Sequence, residues 1–237
     1  MTLVEIRQKL IELSGRYELV VDTTDWADAG ADFFIQAGQD YLDRLRKIPK
    51  ADNSIFEELA SGEWYLTFSR CRSIKEVWVN NTEGRSQLTK KDMSWLYREY
   101  SALISATDSG TPLYYCPAKM RSTEKTDQTS LGTFFNYAVA DSEDIRGIMI
   151  LGPPDESIVV EVKGLFYSDL LSIDADESYW TINWPSTLIK AALRELEIFN
   201  RNSEGVRDWT SAILSDVDGL TMDVVEEEVT DITQIGG

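Results

Sequence analysis

Carboxylate side chains are the groups of this sequence best able to do chemistry, since Asp and Glu number 41 and histidine is absent. The run DADE places Asp174, Asp176 and Glu177 at the spacing of the first ligands of a calcium-binding loop. Tyr179 stands where such a loop needs its turn glycine, and the run DVDG, residues 216–219, has its glycine too early. Both runs are more simply helix caps and turn acids, so we predict no metal site.

The absence of histidine also excludes several enzyme mechanisms. Neither a Ser-His-Asp triad nor a Cys-His pair can form, and the commonest zinc and iron ligand is missing. A glycosidase-type acid pair could be built from any two of the acids, so nothing in the sequence selects one pair. We therefore predict no catalytic residues, no cofactor and no enzymatic activity.

The two cysteines, Cys71 and Cys116, are too few for a disulfide framework or a thiolate metal site. We expect both to be reduced, half-buried strand residues of a protein made in the cytoplasm. The opening MTLVEIRQKL carries charges at Glu5, Arg7 and Lys9 and lacks a long apolar core. We therefore expect a soluble protein without a signal peptide or a membrane span.

The stretch RGIMILGPPDESIVVEVKG, residues 146–164, is either a phosphate-binding loop or a turn between two strands. A phosphate-binding loop presents successive backbone N–H groups to the anion and opens a helix. Pro153 and Pro154 lack the N–H group, and the β-branched run that begins with Ile158 and Val159 favours a strand instead. We predict a hairpin turn here.

Acidic residues dominate the charge of the chain, because 41 Asp and Glu against 23 Lys and Arg give a net charge of −18. This charge opposes a general affinity for DNA phosphates. The densest basic cluster is typical of the solvated C-terminal end of a helix, whose dipole it complements. It consists of Arg44, Arg46, Lys47 and Lys50.

The C-terminal segment alternates acids with apolar residues. It has eight acids from Asp208 to Asp231 and no Lys or Arg after Arg207. Such a segment has too little apolar mass to fold alone but can become ordered against a partner surface; the alternative is a frayed, exposed end. We predict a partner-docking element. Its apolar residues are Leu220, Met222, Val224, Val225, Val229, Ile232 and Ile235.

Helical periodicity marks both ends of the sequence. Apolar residues at helical spacing, ended by Gly15, predict an amphipathic helix over residues 3–14. A second helix is capped by Thr24 or Asp25 and ends at Pro49, and a short helical piece covers 53–62. Near the C-terminus, two helices are predicted over residues 184–200 and 203–217. On the second helix the expected apolar line is Phe33, Ala37, Tyr41 and Leu45, widened by Phe34 and Leu42. On the helix over 184–200 it is Leu188, Ala192, Leu196 and Phe199.

Between these helices the period changes from 3.6 to 2, which predicts strands. Residues 63–71 and 73–81 are expected to pair with each other, before turn residues NTEGR and a helical excursion over 88–105. Further strands are expected at 111–117, 134–140 and on both sides of GPPDE, with a long polar loop near 119–133. The aromatic residues Trp64, Trp78, Tyr114 and Phe166 are expected to pack inside the sheets.

This layout predicts an α+β fold, in which a helical bundle formed by the N- and C-terminal segments carries an inserted antiparallel sheet or sandwich block. The predicted parts are an N-terminal helical part, 1–61, and a β-rich insertion, 62–180. A C-terminal helical part, 181–219, and an acidic tail, 220–237, complete the chain.

Four weak motifs in a fixed order resemble those of the head–tail adaptor (connector, or head-completion) proteins of tailed bacteriophages. WADAGADFFIQAGQDYLDRLRKIP looks like the early helix of that family, and GTPLYY, 110–115, is similar to its Gly-Thr-Pro-aromatic strand entry. IMILGPPDES with VVEVKGLFYSDLLS looks like its Pro-Asp hairpin and return strand. ESYWTINWPSTLIKAALRELEIF looks like its closing helix. The long polar segment and the acidic tail depart from the family pattern.

The resemblance implies a structural virion protein and no enzyme. Such adaptors form a homo-oligomeric ring, usually of twelve copies, in the neck between capsid and tail. The ring contacts the portal protein above and nozzle, tail or tail-fibre proteins below. It extends the channel through which genomic DNA passes as cargo, and no membrane is involved.

Two alternatives belong to other classes of function. A carbohydrate-binding β-sandwich module with helical flanks predicts exposed, coplanar aromatic residues. A carboxylate-based hydrolase predicts two acids that face each other in a cleft, one with a raised pKa.

Overall fold

The chain folds as two compact units in a computed structural model. The structure describes residues 1–45, 52–68, 70–81, 84–92, 94–95, 98, 110–118 and 147–233, with the backbone alone for 219–233 and for residues 52, 67, 81 and 118. One unit, the helical unit, comprises Met1–Ala51 and Tyr167–Gly237; the other, the β unit, is Asp52–Phe166. The presence of both helices and sheets confirms the α+β class.

The helical unit is built from both ends of the sequence. Helix α2 from the N-terminal segment packs mainly against α4 from the C-terminal segment, and α1 packs on both. This confirms a bundle formed by the two terminal segments. Its helices are α1 (Leu3–Ser14), a short 3-10 helix (Tyr17–Leu19), α2 (Ala31–Leu45), α3 (Tyr179–Asn183), α4 (Pro185–Phe199) and α5 (Ser203–Thr233).

Helix α1 matches its predicted bounds of 3–14. The Glu5 carboxylate accepts the backbone N–H of Thr2, an N-terminal capping contact. Leu3, Ile6 and Leu10 are fully buried, as the apolar spacing predicted. Gly15 ends the helix in the left-handed conformation at φ 69°, which glycine adopts without strain.

Helix α2 differs from its prediction in both start and orientation. It begins at Ala31 because residues 22–30 form a loop, in which Asp28 Oδ1 accepts the backbone N–H groups of Gly30 and Asp32. The predicted apolar line through Phe33 is wrong, because that side chain is 69% exposed. The buried face contains Gly38 instead, where an added Cβ would lie 2.7 Å from the backbone nitrogen of Ala192. Close approach of α4 therefore decides which face of α2 is buried.

The β unit is a sandwich of two four-stranded sheets within the described residues. One sheet has the order β1-β8-β3-β4 and the other β2-β7-β6-β5. All described pairings are antiparallel except β5 with β6. The inward residues of both sheets form one apolar cluster. The strands are β1 (Asp52–Leu59), β2 (Tyr65–Thr67), β3 (Cys71–Asn81), β4 (Gly84–Gln87), β5 (Thr89–Lys90), β6 (Tyr114–Ala118), β7 (Gly147–Leu151) and β8 (Ile158–Phe166).

Two predicted local features are wrong in the β unit. The piece 53–62, expected to be helical, contains most of β1, because eight consecutive residues pair with β8 and this tertiary pairing outweighs local preference. The expected pairing of 63–71 with 73–81 is also wrong. Strand β2 pairs with β7, whereas β3 pairs with β4 and β8 in the other sheet.

The GPPDE stretch joins two sheets and is not a hairpin turn. Strands β7 and β8 on its two sides belong to different sheets and do not pair with each other. Gly152 adopts φ 81°, which lets the chain turn there. The carbonyl oxygens of Pro153 and Pro154 accept the N–H groups of Gly110 and Gly62, each at 2.8 Å. The stretch presents acceptors rather than the N–H donors that a phosphate needs.

Several predicted segments fall at or beyond the limits of the described residues. Most of the helical excursion 88–105 and both the polar loop 119–133 and the strand 134–140 lie outside them, while Thr89–Lys90 forms a strand. In α4, the expected apolar line holds for Leu188, Ala192 and Leu196 but not for Phe199, which is 67% exposed. Helix α5 continues across the predicted limit at 219 as one helix of 31 residues.

The limits of the two units differ from the predicted parts. Because β1 starts at Asp52, the β unit begins ten residues before the expected position 62. It ends at Phe166, so residues 167–180 belong to the helical unit rather than to the insertion.

Candidate functional site

The acidic run DADE forms a cap for the start of α1. The carbonyl oxygens of Asp174 and Asp176 accept the backbone N–H groups of Val4 and Leu3, which have no partner inside that helix. The carboxylate of Asp176 accepts the N–H groups of residues 172 and 173. These bonds, first that from Ile173, lower the pKa of Asp176. The loop therefore uses its acids for local structure, as its interpretation as turn acids predicted.

Arg7 ties this loop to two other segments of the helical unit. Its side chain is 2% exposed and bonds both carboxylate oxygens of Asp32 at 2.7 Å. The same guanidinium donates to the carbonyl of Trp26 at 2.7 Å and lies 2.9 Å from the carboxylate of Asp174. With these three partners, the buried arginine holds α1 against the loops around it.

Asp43 is the described carboxylate whose pKa is raised. It is 1% exposed, and burial raises its pKa against the lowering effect of its hydrogen bonds. Its Oδ1 accepts the indole N–H of Trp180 at 2.7 Å and the hydroxyl of Ser168 at 2.9 Å. Its Oδ2 accepts the Ser168 backbone N–H at 2.7 Å. With its oxygens engaged inside the unit, Asp43 orients the 167–181 segment on α2.

Gln39, one helical turn before Asp43, completes this polar network. Its amide donates to the carbonyl of Asp169 at 2.8 Å and accepts the hydroxyl of Ser178 at 2.6 Å. Gln39 is fully buried, and Ser178 is 5% exposed. Buried polar groups that satisfy each other in this way fix one arrangement of the helices.

The second acidic run, DVDG, was expected to be a cap or a turn, and this is wrong, because residues 216–219 lie inside α5. Asp216 instead anchors that helix to α4. The carboxylate of Asp216 accepts the hydroxyl of Thr187 at 2.9 Å and the ammonium of Lys190 at 2.7 Å. Within the residues that the structure describes, no three His, Cys, Asp or Glu side chains form a group able to hold a metal ion.

Both cysteines are free and lie in strands. They are more deeply buried than expected, Cys71 at 5% and Cys116 at 0% exposure. Burial raises the pKa of the Cys116 thiol to about 11, so it stays protonated at neutral pH and is a weak nucleophile.

The aromatic residues expected inside the sheets divide between the core and the surface. Phe166 belongs to the sandwich core, but Trp64, Trp78 and Tyr114 are half-buried. Trp78 is paired with Glu161 on the side of β3 opposite its core residues. The guanidinium of Arg85 lies 4.6 Å from its ring centre.

The predicted docking segment lies on helix α5, beyond Val217. Asp216 lies beside the first turns of α4, and Val217 is buried. The helical backbone continues from there to Thr233, about 24 Å at 1.5 Å per residue. The residues Leu220, Met222, Val224, Val225, Val229 and Ile232 lie on this backbone; Ile235 lies outside the described residues.

A surface that the sequence did not predict lies at one end of the helical unit. The rings of Phe33 and Phe199 are 5.3 and 5.7 Å from the ring of Phe34, which is buried between them at 5% exposure. Arg16, at the start of the 3-10 helix, bonds Asn200, the residue after Phe199, at 3.0 Å. We call Phe33 and Phe199 the aromatic end patch. The sequence contains no clear signal for it, since neighbours on a helix point about 100° apart and can both face one core, as Phe34 and Ile35 do.

A comparison of the chain with protein-family models and with curated proteins found no match to either. Among the described residues, no helix is long and apolar enough to cross a membrane.

Proposed function

We propose that the chain is a structural virion protein, a head–tail adaptor that joins the portal to the tail of a tailed bacteriophage. Copies of the chain form a ring in the neck of the virion and extend the DNA channel. The proposal is supported by the order of the four motifs. It is also supported by a helical unit that both terminal segments form, with the sandwich inserted between these segments in the sequence.

The observation that carries the proposal is the extension of α5. Helix α5, with 31 residues, packs against α4, with 15. Asp216 of α5 bonds Lys190 near the start of α4, and the last turns of α5 continue beyond this contact. On this backbone Met222, Val225, Val229 and Ile232 recur at intervals of three and four and so fall on one helical face. Acids at 223, 226–228 and 231 occupy other positions. An amphipathic helix of this kind suits docking into an apolar groove, here of the portal or of a neighbouring copy.

The alternative of a carbohydrate-binding module needs exposed, coplanar aromatic rings. The strongest candidate in the β unit is Trp78, but the Arg85 guanidinium lies over its ring and Lys163 is 5.9 Å from its centre. Sugar stacking on Trp78 would require this cationic cover to move. The adaptor is therefore the better supported of the two functions.

The decisive experiment removes the docking segment. A chain that ends at Gly219 should keep its fold, because the polar anchors of α5 at Asp216 and the buried Val217 remain. Co-assembly with the portal protein from the same genome should be lost, as measured by co-sedimentation. Unchanged co-assembly would remove the docking role of residues 220–237.

A matched pair of variants separates apolar docking from charge. Ser at Met222, Val225, Val229 and Ile232 should abolish co-assembly, with at least a hundredfold weaker binding to the portal. Gln at the acids Glu226, Glu227 and Glu228 keeps the apolar face and should weaken binding less than tenfold. Equal losses in both variants would contradict an apolar groove as the docking surface.

A further inference from the structure

Strand β1 is the longest of the four strands that border the two sheets in the described part of the β unit. It has eight residues, whereas β2, β4 and β5 have two to four. All eight residues pair with β8 in one unbroken register, and none of them is lysine or proline. Proteins usually protect an outer strand from further pairing by short length, bulges, proline or charged side chains, above all lysine. Of these protections β1 has only charged side chains, and they are acidic.

Alternate residues of β1 direct their backbone N–H and C=O groups away from β8, as in every antiparallel pair. Ser54 is one of them, since its N–H donates to the side-chain oxygen of Asn53 at 2.8 Å. Phe56 and Glu58 follow at intervals of two, so their N–H and C=O groups point the same way. The outer edge of β1 therefore presents the N–H donors of Phe56 and Glu58 beside carbonyl acceptors.

The register of the whole sheet agrees with this direction. The N–H of Leu88 donates to the carbonyl of Val77 at 2.9 Å, so Val77 faces the β4 side and the next residue, Trp78, directs its backbone groups toward β8. Trp78 lies opposite Glu161, whose backbone groups therefore point toward β3 and not toward β1. The residue opposite Glu161 on β1 is Phe56, and its N–H consequently points away from β8.

This edge is accessible. Within the described part of the chain, the N–H groups of Phe56 and Glu58 have no hydrogen-bond partner. The side chain of Phe56 is 63% exposed, and Glu57 and Glu58 are exposed as well. Glu58 lies six residues beyond Asp52, the first residue of the unit, or about 20 Å along the strand. An extended peptide can pair with such a row of backbone groups as a further strand.

The side chains of β1 define the chemistry of that peptide. The sequence DNSIFEEL contains no lysine or arginine, and its Glu57 and Glu58 are exposed. Cross-strand pairing favours an apolar residue opposite Phe56 and lysine or arginine opposite the two glutamates. Strand β1 of a second copy fits less well, because two acidic strands would then lie side by side.

We propose that the outer edge of β1, residues 54–58, binds an extended basic segment of another protein as an additional strand. The naming of that protein rests on the proposed function: in the neck of the virion it is a tail component, since the end of α5 is assigned to the portal or a neighbouring copy. The edge itself is a property of the β unit.

The first test uses a synthetic peptide of alternating lysine and valine and follows the N–H groups of β1 by NMR hydrogen exchange. In the free chain, those of Phe56 and Glu58 should exchange faster than those of the residues beside them, which point to β8. The peptide should slow the exchange of both roughly tenfold. A peptide of alternating glutamate and valine is the control and should have no effect. Unchanged exchange with the lysine peptide would overturn the inference.

Two variants of Glu58 separate backbone pairing from charge. Glu58→Pro removes an N–H that points away from β8, so it should keep the pairing with β8, as proline does on outer strands. Glu58→Gln removes the same charge but keeps this N–H. The proline variant should bind the lysine peptide roughly tenfold more weakly than the glutamine variant, because it has lost a donor of the added strand. Equal binding by the two variants would contradict strand addition.

A second copy as the occupant would give a different result. The exchange of Phe56 and Glu58 would then slow as the concentration of the free chain rises, without any peptide. That outcome would overturn a basic partner.

The tail component is tested with the tail proteins from the same genome. Glu58→Pro should bind its tail partner roughly tenfold more weakly than Glu58→Gln does, whereas both should co-assemble with the portal as the wild type does. Equal binding of both variants to the tail partner would overturn the tail component as the occupant. If the wild-type chain binds neither portal nor tail proteins, the proposed function fails, and the peptide experiment still decides the edge.

Discussion

At the scale of single residues, the polar side chains buried in the helical unit hold its segments together through hydrogen bonds. Arg7, Gln39 and Asp43 are at most 2% exposed, and each bonds groups from segments distant in sequence. Such contacts are specific because a buried polar group left without a partner costs about 1–3 kcal/mol. They explain how residues 167–181 join α1 and α2, which lie more than a hundred positions earlier in the chain.

Replacement of Asp43 tests this network. In Asp43→Asn one of the two oxygen positions becomes an amide N–H₂ group. If the amide oxygen keeps the bonds from Trp180 and the Ser168 hydroxyl, the N–H₂ group faces the backbone N–H of Ser168 as donor against donor, so the free energy of unfolding should fall by about 2–3 kcal/mol. Urea denaturation followed by tryptophan fluorescence measures the change. Glu12→Gln, at a carboxylate on the surface of α1, is the control and should leave stability nearly unchanged, because exposed ion pairs contribute little. Similar values for the two variants would show that the network contributes little.

The raised pKa of Asp43 also predicts a pH dependence. Burial makes the folded protein bind this proton more tightly than the unfolded chain does, so the stabilising contribution of protonation is complete below the ordinary aspartate pKa of about 4. It is lost as pH rises through the raised pKa. The free energy of unfolding of the wild type, relative to Asp43→Asn, should therefore fall across that window. A difference that rises with pH would contradict the assigned direction.

At the scale of secondary structure elements, close packing of α2 on α4 sets the form of the helical unit. Gly38 lies against the backbone of Ala191 and Ala192, where any side chain would have to displace main-chain atoms. In an open helix, alanine stabilises relative to glycine by up to about 1 kcal/mol. Whether alanine at position 38 raises or lowers the free energy of unfolding therefore shows whether α2 and α4 are in close contact there.

Gly38→Ala should lower the free energy of unfolding by about 1–3 kcal/mol, because the two helices must move apart. Thermal unfolding followed by circular dichroism measures it. The matched control is Gly205→Ala in α5, where the added methyl meets side-chain atoms of Asn202 and Glu197 rather than main-chain atoms. These side chains can shift at the expense of their own hydrogen bonds, so the control should cost clearly less than Gly38→Ala. A stabilised Gly38→Ala variant would mean that the helices do not approach as closely as described.

The same elements show how far the sequence predicts the fold. Helix α1 follows from its own spacing and its terminal glycine, since both signals are local. The buried face of α2 does not, because it depends on the helix that packs against Gly38. Strand β1 was predicted as helix, and β7 and β8 as a hairpin, because pairing partners distant in sequence decide both features.

The candidate sites show the same limit. The apolar and acidic composition of the C-terminal segment predicts a docking element, whereas its continuity with α5, which Asp216 anchors to Thr187 and Lys190, appears only in the structure. The aromatic end patch was missed because Phe33 and Phe199 were placed on apolar lines of single helices. Its two rings come together only through Phe34 in the folded unit.

At the scale of the whole molecule, the charge distribution bears on how DNA would pass through the proposed ring. The helical unit carries −13 of the net −18, so a channel lined by such units repels phosphates rather than binding them. A wall of this kind lets DNA slide through without a specific hold.

The purified chain should therefore not bind duplex DNA at 100 mM salt, as measured by fluorescence anisotropy at protein concentrations up to 10 µM, roughly where non-specific DNA-binding proteins bind. A known non-specific DNA-binding protein serves as the positive control. Binding with a steep dependence on salt would contradict a channel that does not grip its cargo.

The central claim is that identical copies of this chain close into a ring on the portal. Electron microscopy of the chain mixed with the portal from the same genome tests it most directly. The account predicts a ring coaxial with the portal, with the ends of α5 against the portal or the neighbouring copy. Portals without added density, or with isolated copies that show no rotational symmetry, would contradict it.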